Sequence, residues 1–212
     1  MKTKTDSTYH HGNLQQALLK AAEDELIEKG VKSFSMRSVA KRAGVSHGAP
    51  AHHFKDKTGV LTALAAEGYR RFIRTQEERQ REASPSPRSQ LAASGLGYID
   101  FAISHSALFR LMFSSEHTNR QNKELHDGAN KAFDKLITDV CNIIKIDPNQ
   151  NQQGMMDVMA AWVAAHGLAD LMITNRFERM AFFENLDVKA RDKVFSDIIL
   201  RSIKMSSAKE IK

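Results

Sequence analysis

The chain has 212 residues, of which 42% are hydrophobic and 26% charged. These are ordinary values for a globular protein made of one large domain or of a small module with a larger body, and they exclude the polar, highly charged signature of disorder. The net charge of +6 is unevenly placed: residues 1–81 hold 15 Lys or Arg against 9 Asp or Glu, and residues 82–212 hold 16 of each. A basic segment is the electrostatic footprint of contact with a polyanion, where affinity comes from counterions released off phosphates.

No apolar run approaches the roughly 18 uncharged residues of a membrane span, and MKTKTDSTYHHGN lacks the apolar centre of a signal peptide. The expectation is a cytoplasmic protein with no membrane partner. Cys141 is the single cysteine, so no internal disulfide forms, and in DVCNII it reads as a small buried residue.

In chain order, Leu14, Ala17, Leu18, Ala21, Ala22 and Leu26 recur at helical spacing and predict a first helix over Asn13 to Lys29, stopped by Gly30. Ser35 is placed to N-cap a short helix from Met36 to about Arg42, with Met36, Val39 and Ala40 inward and Gly44 as its stop. After a turn of about three residues, Ser46 is expected to cap a third short helix. Helix, helix, tight Gly-containing turn, helix is the order of a helix-turn-helix, whose last helix enters the major groove. Pro50 is tolerated only in a first turn, so that helix begins no earlier than Ser46.

Asp56 caps a fourth helix running to about Arg81, with Val60, Leu61, Leu64, Ala65, Gly68, Tyr69 and Phe72 as its apolar stripe, and SPSP at 84–87 breaks the chain. Further helices are predicted over Arg88 to about His105, Ala107 to Phe113, Gln121 to about Ile146, Gln152 to about Arg179 and Val188 to about Met205. No segment shows β alternation. The fold class is therefore all-α: a three-helix helix-turn-helix bundle at residues 1–58, joined by a linking helix to a helical domain at 59–212.

The run FSMRSVAKRAGVSHGAPAHHFKDKTGVL, residues 34–61, resembles the TetR-type one-component transcriptional regulators. Met36-Arg37-Ser38-Val39-Ala40, Ala43-Gly44-Val45-Ser46, His53-Phe54 and Lys57 match the family pattern in order and spacing. Trp162, His166 and Gly167 in AAWVAAHGLADLM resemble the Trp and His-Gly pattern of one class of ligand-binding domains in that family. One departure stands out. The pattern usually has a phosphate-contacting Tyr two residues before the His of His-Phe, and here that position is Ala51, preceded by Pro50. His52 or the arm around Tyr9 is left to compensate.

Alternative uses of the histidines fit less well. Zinc on one helix wants ligands at i, i+3 or i, i+4, whereas His47, His52 and His53 are separated by five and one, and His10 and His11 by one. No metal site and no cofactor is expected. No Ser-His-Asp order, phosphate loop or paired-carboxylate motif marks a catalytic site, so no catalytic residue is assigned.

The DNA reading uses Arg37, Ser46, His47, Gly48, Ala49, His52, His53 and Lys57. Gly48 and Ala49 are small enough for close approach, and an Ala methyl suits a thymine methyl. His47 and His52 face the groove. By resemblance His53 meets phosphate, and Lys57 adds charge at a helix N-terminus.

One helix-turn-helix covers little DNA, which predicts a homodimer on a palindromic double-stranded operator, paired through the last two long helices as a four-helix bundle. Met159, Val163, Leu171, Phe195, Ile198, Ile199 and Ile203 are the candidate dimer residues. By resemblance the middle helices hold a small-molecule effector of unknown identity, with Tyr98, Phe101, His105, Phe109, Phe113, Phe133, Trp162 and His166 as candidate lining. The resulting expectation is a repressor released by its effector. The alternative is a helical enzyme or small-molecule binding protein whose basic N-terminus is incidental.

Overall fold

Ser35 caps its helix as its residue type predicts: its hydroxyl accepts from the Ser38 amide at 3.4 Å, and the helix runs Met36–Arg42. This local agreement is typical of the computed structural model, which describes residues 5–114 and 116–203, with side chains from residue 14 onward. The side chains of Tyr9, His10 and His11, and residue Met205, lie outside the described residues. The described elements are α1 (Thr5–Lys29), α2 (Met36–Arg42), α3 (Ala49–Phe54), α4 (Lys57–Glu82), α5 (Pro87–Ser104), α6 (Ser106–Met112), α7 (Lys123–Ile144), α8 (Gln152–Ile173), α9 (Ala181–Glu184) and α10 (Val188–Ser202), with no strand among them. The all-α class expected from the sequence is the observed one.

Two compact units share these helices. The first runs to Tyr69 and includes Ala107–Gly128; the second takes Arg70–Ser106 and the chain from Ala129 onward. The expected 58/59 boundary falls in the first turn of α4, and the packing divides that helix after Tyr69. A 26-residue helix rises about 39 Å, more than one small helical module spans.

In the first unit Leu18, Ala22 and Leu26 of α1, Val39 and Ala40 of α2, Phe54 of α3, Val60, Leu61 and Leu64 of α4, and Leu108 and Leu111 of α6 are buried. Each buried Leu or Val contributes roughly 1.5–3 kcal/mol. In the second unit α5 packs on α8 and α10, burying Leu91, Ile99 and Phe101 with Val158, Ala165, Leu168, Phe195 and Ile199. Polar ties complete that unit. Arg79 of α4 donates to Asp100 of α5 at 2.5 Å and pairs with Asp192 of α10 at 3.2 Å. The Gln80 amide donates to the Gln90 carbonyl at 3.1 Å and to Asp139 at 3.2 Å, and Lys135 bonds both Gln80 and Asp139.

Besides α1, which starts at Thr5 instead of Asn13, two element boundaries differ from the sequence reading. α8 ends at Ile173 instead of continuing to about Arg179, because Asn175 turns left-handed at φ 53° and the Thr174 hydroxyl donates to the Asp170 carbonyl at 2.6 Å. Residues Phe177–Arg179 form a 3-10 turn instead. α8 is also long and apolar enough, by length and composition alone, to cross a membrane, with a mean hydropathy of 1.3 over 18 residues. Asp157 and Asp170 interrupt it, which is why no uncharged run was legible there. Asp157 is buried inside the protein.

Candidate nucleic-acid interface

The second difference is at the recognition helix. Ser46 does not cap α3; the helix starts at Ala49 with Gly48 as its cap residue and no side-chain cap bond. Pro50 explains the late start. It sits in the first helical turn, where its missing N–H costs nothing, and its ring is buried in the core. The connection after α2 is correspondingly longer than three residues, spanning 43–48, and Gly44 takes φ 67°, a conformation that β-carbon-bearing residues rarely adopt.

The candidate contact residues then fall on one short segment and the helix before it. Arg37 of α2, Ser46, His47 and Gly48 of the turn, and His52 of α3 are exposed; Ala49, His53 and Lys57 are half-buried. Arg37 and Lys41 stand one helical turn apart on α2, both exposed. Lys41 and the exposed Lys55 were missed by the sequence reading, because neither belongs to a motif position.

Buried hydrogen bonds hold this platform. Glu25 of α1, only 2% exposed, accepts from the Ser38 hydroxyl at 2.6 Å and from Arg42 Nε at 2.9 Å, both on α2. Burial pushes its carboxyl up, but the two hydrogen bonds and the Arg42 charge outweigh that and leave its pKa below the usual 4.5. Glu28 pairs with Lys29 and Arg42 and is lowered to about 2 by those hydrogen bonds. Arg42 therefore serves α1, not a ligand.

The junction of α3 with α4 is strained. Lys55 lies at φ 72° and ψ −61°, and the Asp56 amide donates to the Phe54 carbonyl at 2.9 Å, which makes a γ-turn centred on Lys55. Such turns are rare and cost about 1–3 kcal/mol. Asp56 offsets part of this by accepting from the Gly59 amide at 2.8 Å, the cap its residue type predicted. Gly59 is required by close approach, since a β-carbon there lies 1.8 Å from the Phe54 carbonyl oxygen.

Lys57 is the first residue of α4. Its ammonium donates to the Val31 carbonyl at 2.6 Å, lies 3.5 Å from the Lys32 carbonyl and 5.9 Å from the centre of the Phe34 ring. An open cleft of about 510 Å³ lies beside the end of α3, lined by Ala51, His52, His53, Lys55, Gln15 and Glu124 among others.

The candidate effector residues separate by unit. Phe109 and Phe113 lie in the first, 5.0 Å apart, with Phe113 6.2 Å from Tyr69. The other six lie in the second. There the Tyr98 hydroxyl is 2.7 Å from His166 Nδ1, Phe133 is 5.9 Å from Trp162, and Phe101 is 5.1 Å from His105. Burial holds the His166 pKa below its usual 6.5, against an opposing pull from Asp170. Phe72, read from the sequence only as part of the α4 apolar stripe, has its ring 4.7 Å from Tyr98 and 5.4 Å from Phe101.

The candidate dimer residues also divide. Phe195, Ile199 and Ile203 are buried in the protomer's own core and have no surface to offer a second copy. Phe195 stacks 5.4 Å from Phe177, and Ile199 packs so closely on Gly95 that a β-carbon there lies 2.5 Å from its Cδ1. Met159, Val163 and Ile198 are exposed, at 40%, 66% and 38%, and Leu171 is half-buried. Met156, at 55%, extends the exposed row on α8 and was not among the candidates.

Known proteins resemble the chain in both halves. The bacterial regulatory proteins of the tetR family match residues 18–64, and the tetracyclin repressor-like C-terminal domain matches residues 91–190. The HTH-type transcriptional regulator BetI of Yersinia pestis is 26% identical over 159 residues, 74% of this chain and 76% of that protein. BetI of Stenotrophomonas maltophilia is 25% identical over 128 residues, covering 60% of this chain and 65% of its own length.

Among solved structures, a Rhodococcus protein of unknown function superposes with a TM-score of 0.74 at 29% identity, covering 92% of this chain and 97% of that one. The Bacillus subtilis regulator FadR, solved with stearoyl-CoA, shares the fold with a TM-score of 0.57 at 19% identity over 90% of this chain and the whole of that one. The family is one of transcriptional regulators and not of enzymes, which removes the reading of a helical enzyme with an incidental basic N-terminus. With the helix-turn-helix and the helical C-terminal region both matched, the chain belongs to the TetR family and is a DNA-binding transcriptional regulator.

Proposed function

We propose that the protein is a homodimeric repressor that reads a palindromic operator with α3 and lets go when a small molecule binds the second unit. The observation that carries this reading is the exposed run Ser46, His47, Gly48 and His52, presented beside Arg37 on a platform fixed by the buried Glu25 carboxylate. His47 and His52 offer ring nitrogens to base edges, His53 offers a ring N–H to phosphates, and the basic side chains nearby offer them charge. Regulators of this family bind DNA operators and act as dimers. The exposed face of Met156, Met159 and Val163 on α8, with Ile198 on α10, supports pairing with a second copy.

For the effector, the second unit offers rings for an apolar body and the Tyr98–His166 pair for a polar group. A ligand that prefers the DNA-incompetent state weakens operator binding by its differential affinity for the two states. The protein acts where DNA lies, in the cytoplasm.

The test is a gel-shift titration on DNA flanking the protein's own gene, at about 0.1 M salt, against random duplex. A sequence-preferring shift at two protomers per site is the expected outcome, and equal affinity for both duplexes overturns the operator reading. Small molecules that raise the melting temperature of the protein are then added to the shifted complex. Release by at least one is expected, and tighter binding by every one contradicts repression relieved by an effector.

A further inference from the structure

We propose that the carboxamide of Gln76 is the polar anchor of the effector site, and that the effector is an uncharged molecule with an apolar ring and a hydroxyl or amide hydrogen. This rests on the reading that the second unit takes a small molecule, and it gives that molecule a chemical class. Gln76 lies on α4 and is only 7% exposed, and its Oε1 is buried with no hydrogen-bond partner among the described residues. A buried carbonyl oxygen without a donor is costly, and native structures keep few of them. A ligand that brings a donor removes that cost on binding.

The surroundings explain why the protein itself does not answer Gln76. Phe72, Gln76 and Gln80 are spaced four apart on α4 and share one face. One turn before Gln76, the Phe72 ring lies 4.7 Å from Tyr98 and 5.4 Å from Phe101, and the Tyr98 hydroxyl is engaged with His166 Nδ1 at 2.7 Å. One turn after it, the Gln80 amide donates to the Gln90 carbonyl and to Asp139, while Gln80 Oε1 accepts from Lys135. On the α5 side the close neighbour is Gly97, which has no side chain to offer; a β-carbon there lies 2.6 Å from Gln76 Cα. Gln76 is the unsatisfied step between an aromatic layer and a closed polar network.

These neighbours also select the ligand. An apolar ring suits Phe72 and Tyr98, and a hydroxyl or amide N–H on it suits Oε1. An ionised carboxylate has no hydrogen to give, and the cations on this end of α4 and on α7 already lie on carboxylates, Arg79 on Asp100 and Asp192 and Lys135 on Asp139. An ammonium has hydrogens but brings its charge against an uncharged amide in a buried place. Burial keeps His166 neutral at pH 7 as well, since its pKa lies below 6.5.

The experiment follows the melting temperature of the full chain against millimolar benzyl alcohol, benzyl methyl ether, benzamide, benzoate and benzylamine at neutral pH. It is run on wild type, Gln76→Leu and Gln76→Met, two apolar replacements of similar length, and each probe is also added to the operator complex in the gel shift. Wild type is expected to bind benzyl alcohol and benzamide about tenfold more tightly than the ether, benzoate or benzylamine, the size of one buried hydrogen bond. Both variants are expected to lose that preference by weakening the alcohol and the amide, with the ether unchanged.

No stabilisation of wild type by any probe, equal affinity for the alcohol and its ether, tighter binding of benzoate or benzylamine, or a preference that survives both substitutions overturns the proposal. A preference that depends on Gln76 in a protein that keeps its operator supports the anchor and defeats release by an effector. Release that persists undiminished in both variants does the reverse.

Discussion

Glu25 is the residue on which the DNA-reading platform turns, although nothing in its sequence surroundings marks it out. Its carboxylate is buried and holds Ser38 and Arg42 of α2. Glu25→Ala removes the acceptor of the Ser38 hydroxyl and of Arg42 Nε, while Glu28 still holds the Arg42 guanidinium, for an expected loss of about 1–3 kcal/mol in urea unfolding. Because the folded pKa lies below the usual 4.5, the stability Glu25 contributes is complete above that pH and is lost as pH falls through the lowered value. An acid titration of stability that is steeper in wild type than in Glu25→Gln is the check.

His166 titrates higher. Its folded pKa lies below 6.5, so stability is present above about pH 6.5 and declines as the ring is forced to take a proton on acidification. His166→Asn is expected to flatten that decline between pH 7 and 5, seen in melting temperature. Caps were legible at this scale, since Ser35 and Asp56 accept the amides their residue types suit. Ser46 was not, because the position of Pro50 moves the helix start past it.

At the scale of elements, helix periodicity located α2, α4, α5 and α10 to within a few residues over the described range, since each has a one-sided apolar row or a clear stop, whereas α1 begins at Thr5, eight residues before the expected Asn13, and only its end at Lys29 was legible. α8 was overextended because no Gly or Pro follows Ile173 to mark a stop, and the left-handed Asn175 ends it. The γ-turn between α3 and α4 had no sequence signal at Lys55; its trace is Gly59, four residues on, where a side chain collides with the Phe54 carbonyl. Gly59→Ala forces that backbone to move. The expected outcome is a loss of about 1–3 kcal/mol in stability, together with weaker sequence-preferring DNA binding in the gel shift, as the end of α3 shifts.

Across the whole molecule, the apolar residues of α8 and α10 separate into those buried within the protomer and those left exposed. Val163→Arg places a charge on the exposed face and is expected to convert a dimer to a monomer in sedimentation velocity, with the melting curve of the protomer preserved. Phe195→Arg, by contrast, puts the same charge in the core and is expected to abolish folding. A dimer that survives Val163→Arg excludes that face. From sequence alone Val163 and Phe195 were equivalent, because periodicity tells which residues share a helix face and not what covers it.

The sequence by itself determined the class of fold, the position of the helix-turn-helix and the family, because helix periodicity, caps and the spacing of Ala-Gly-Val-Ser and His-Phe are local properties carried within a few residues. Tertiary structure alone decided which cations have partners, which apolar residues are covered and where the packing units divide. Those depend on residues far apart in sequence, such as Val31 with Lys57, Tyr98 with His166 and Gly95 with Ile199. The pairing of a side chain with a distant backbone carbonyl leaves no pattern along the chain, so the bond from Lys57 to Val31 had to come from the fold.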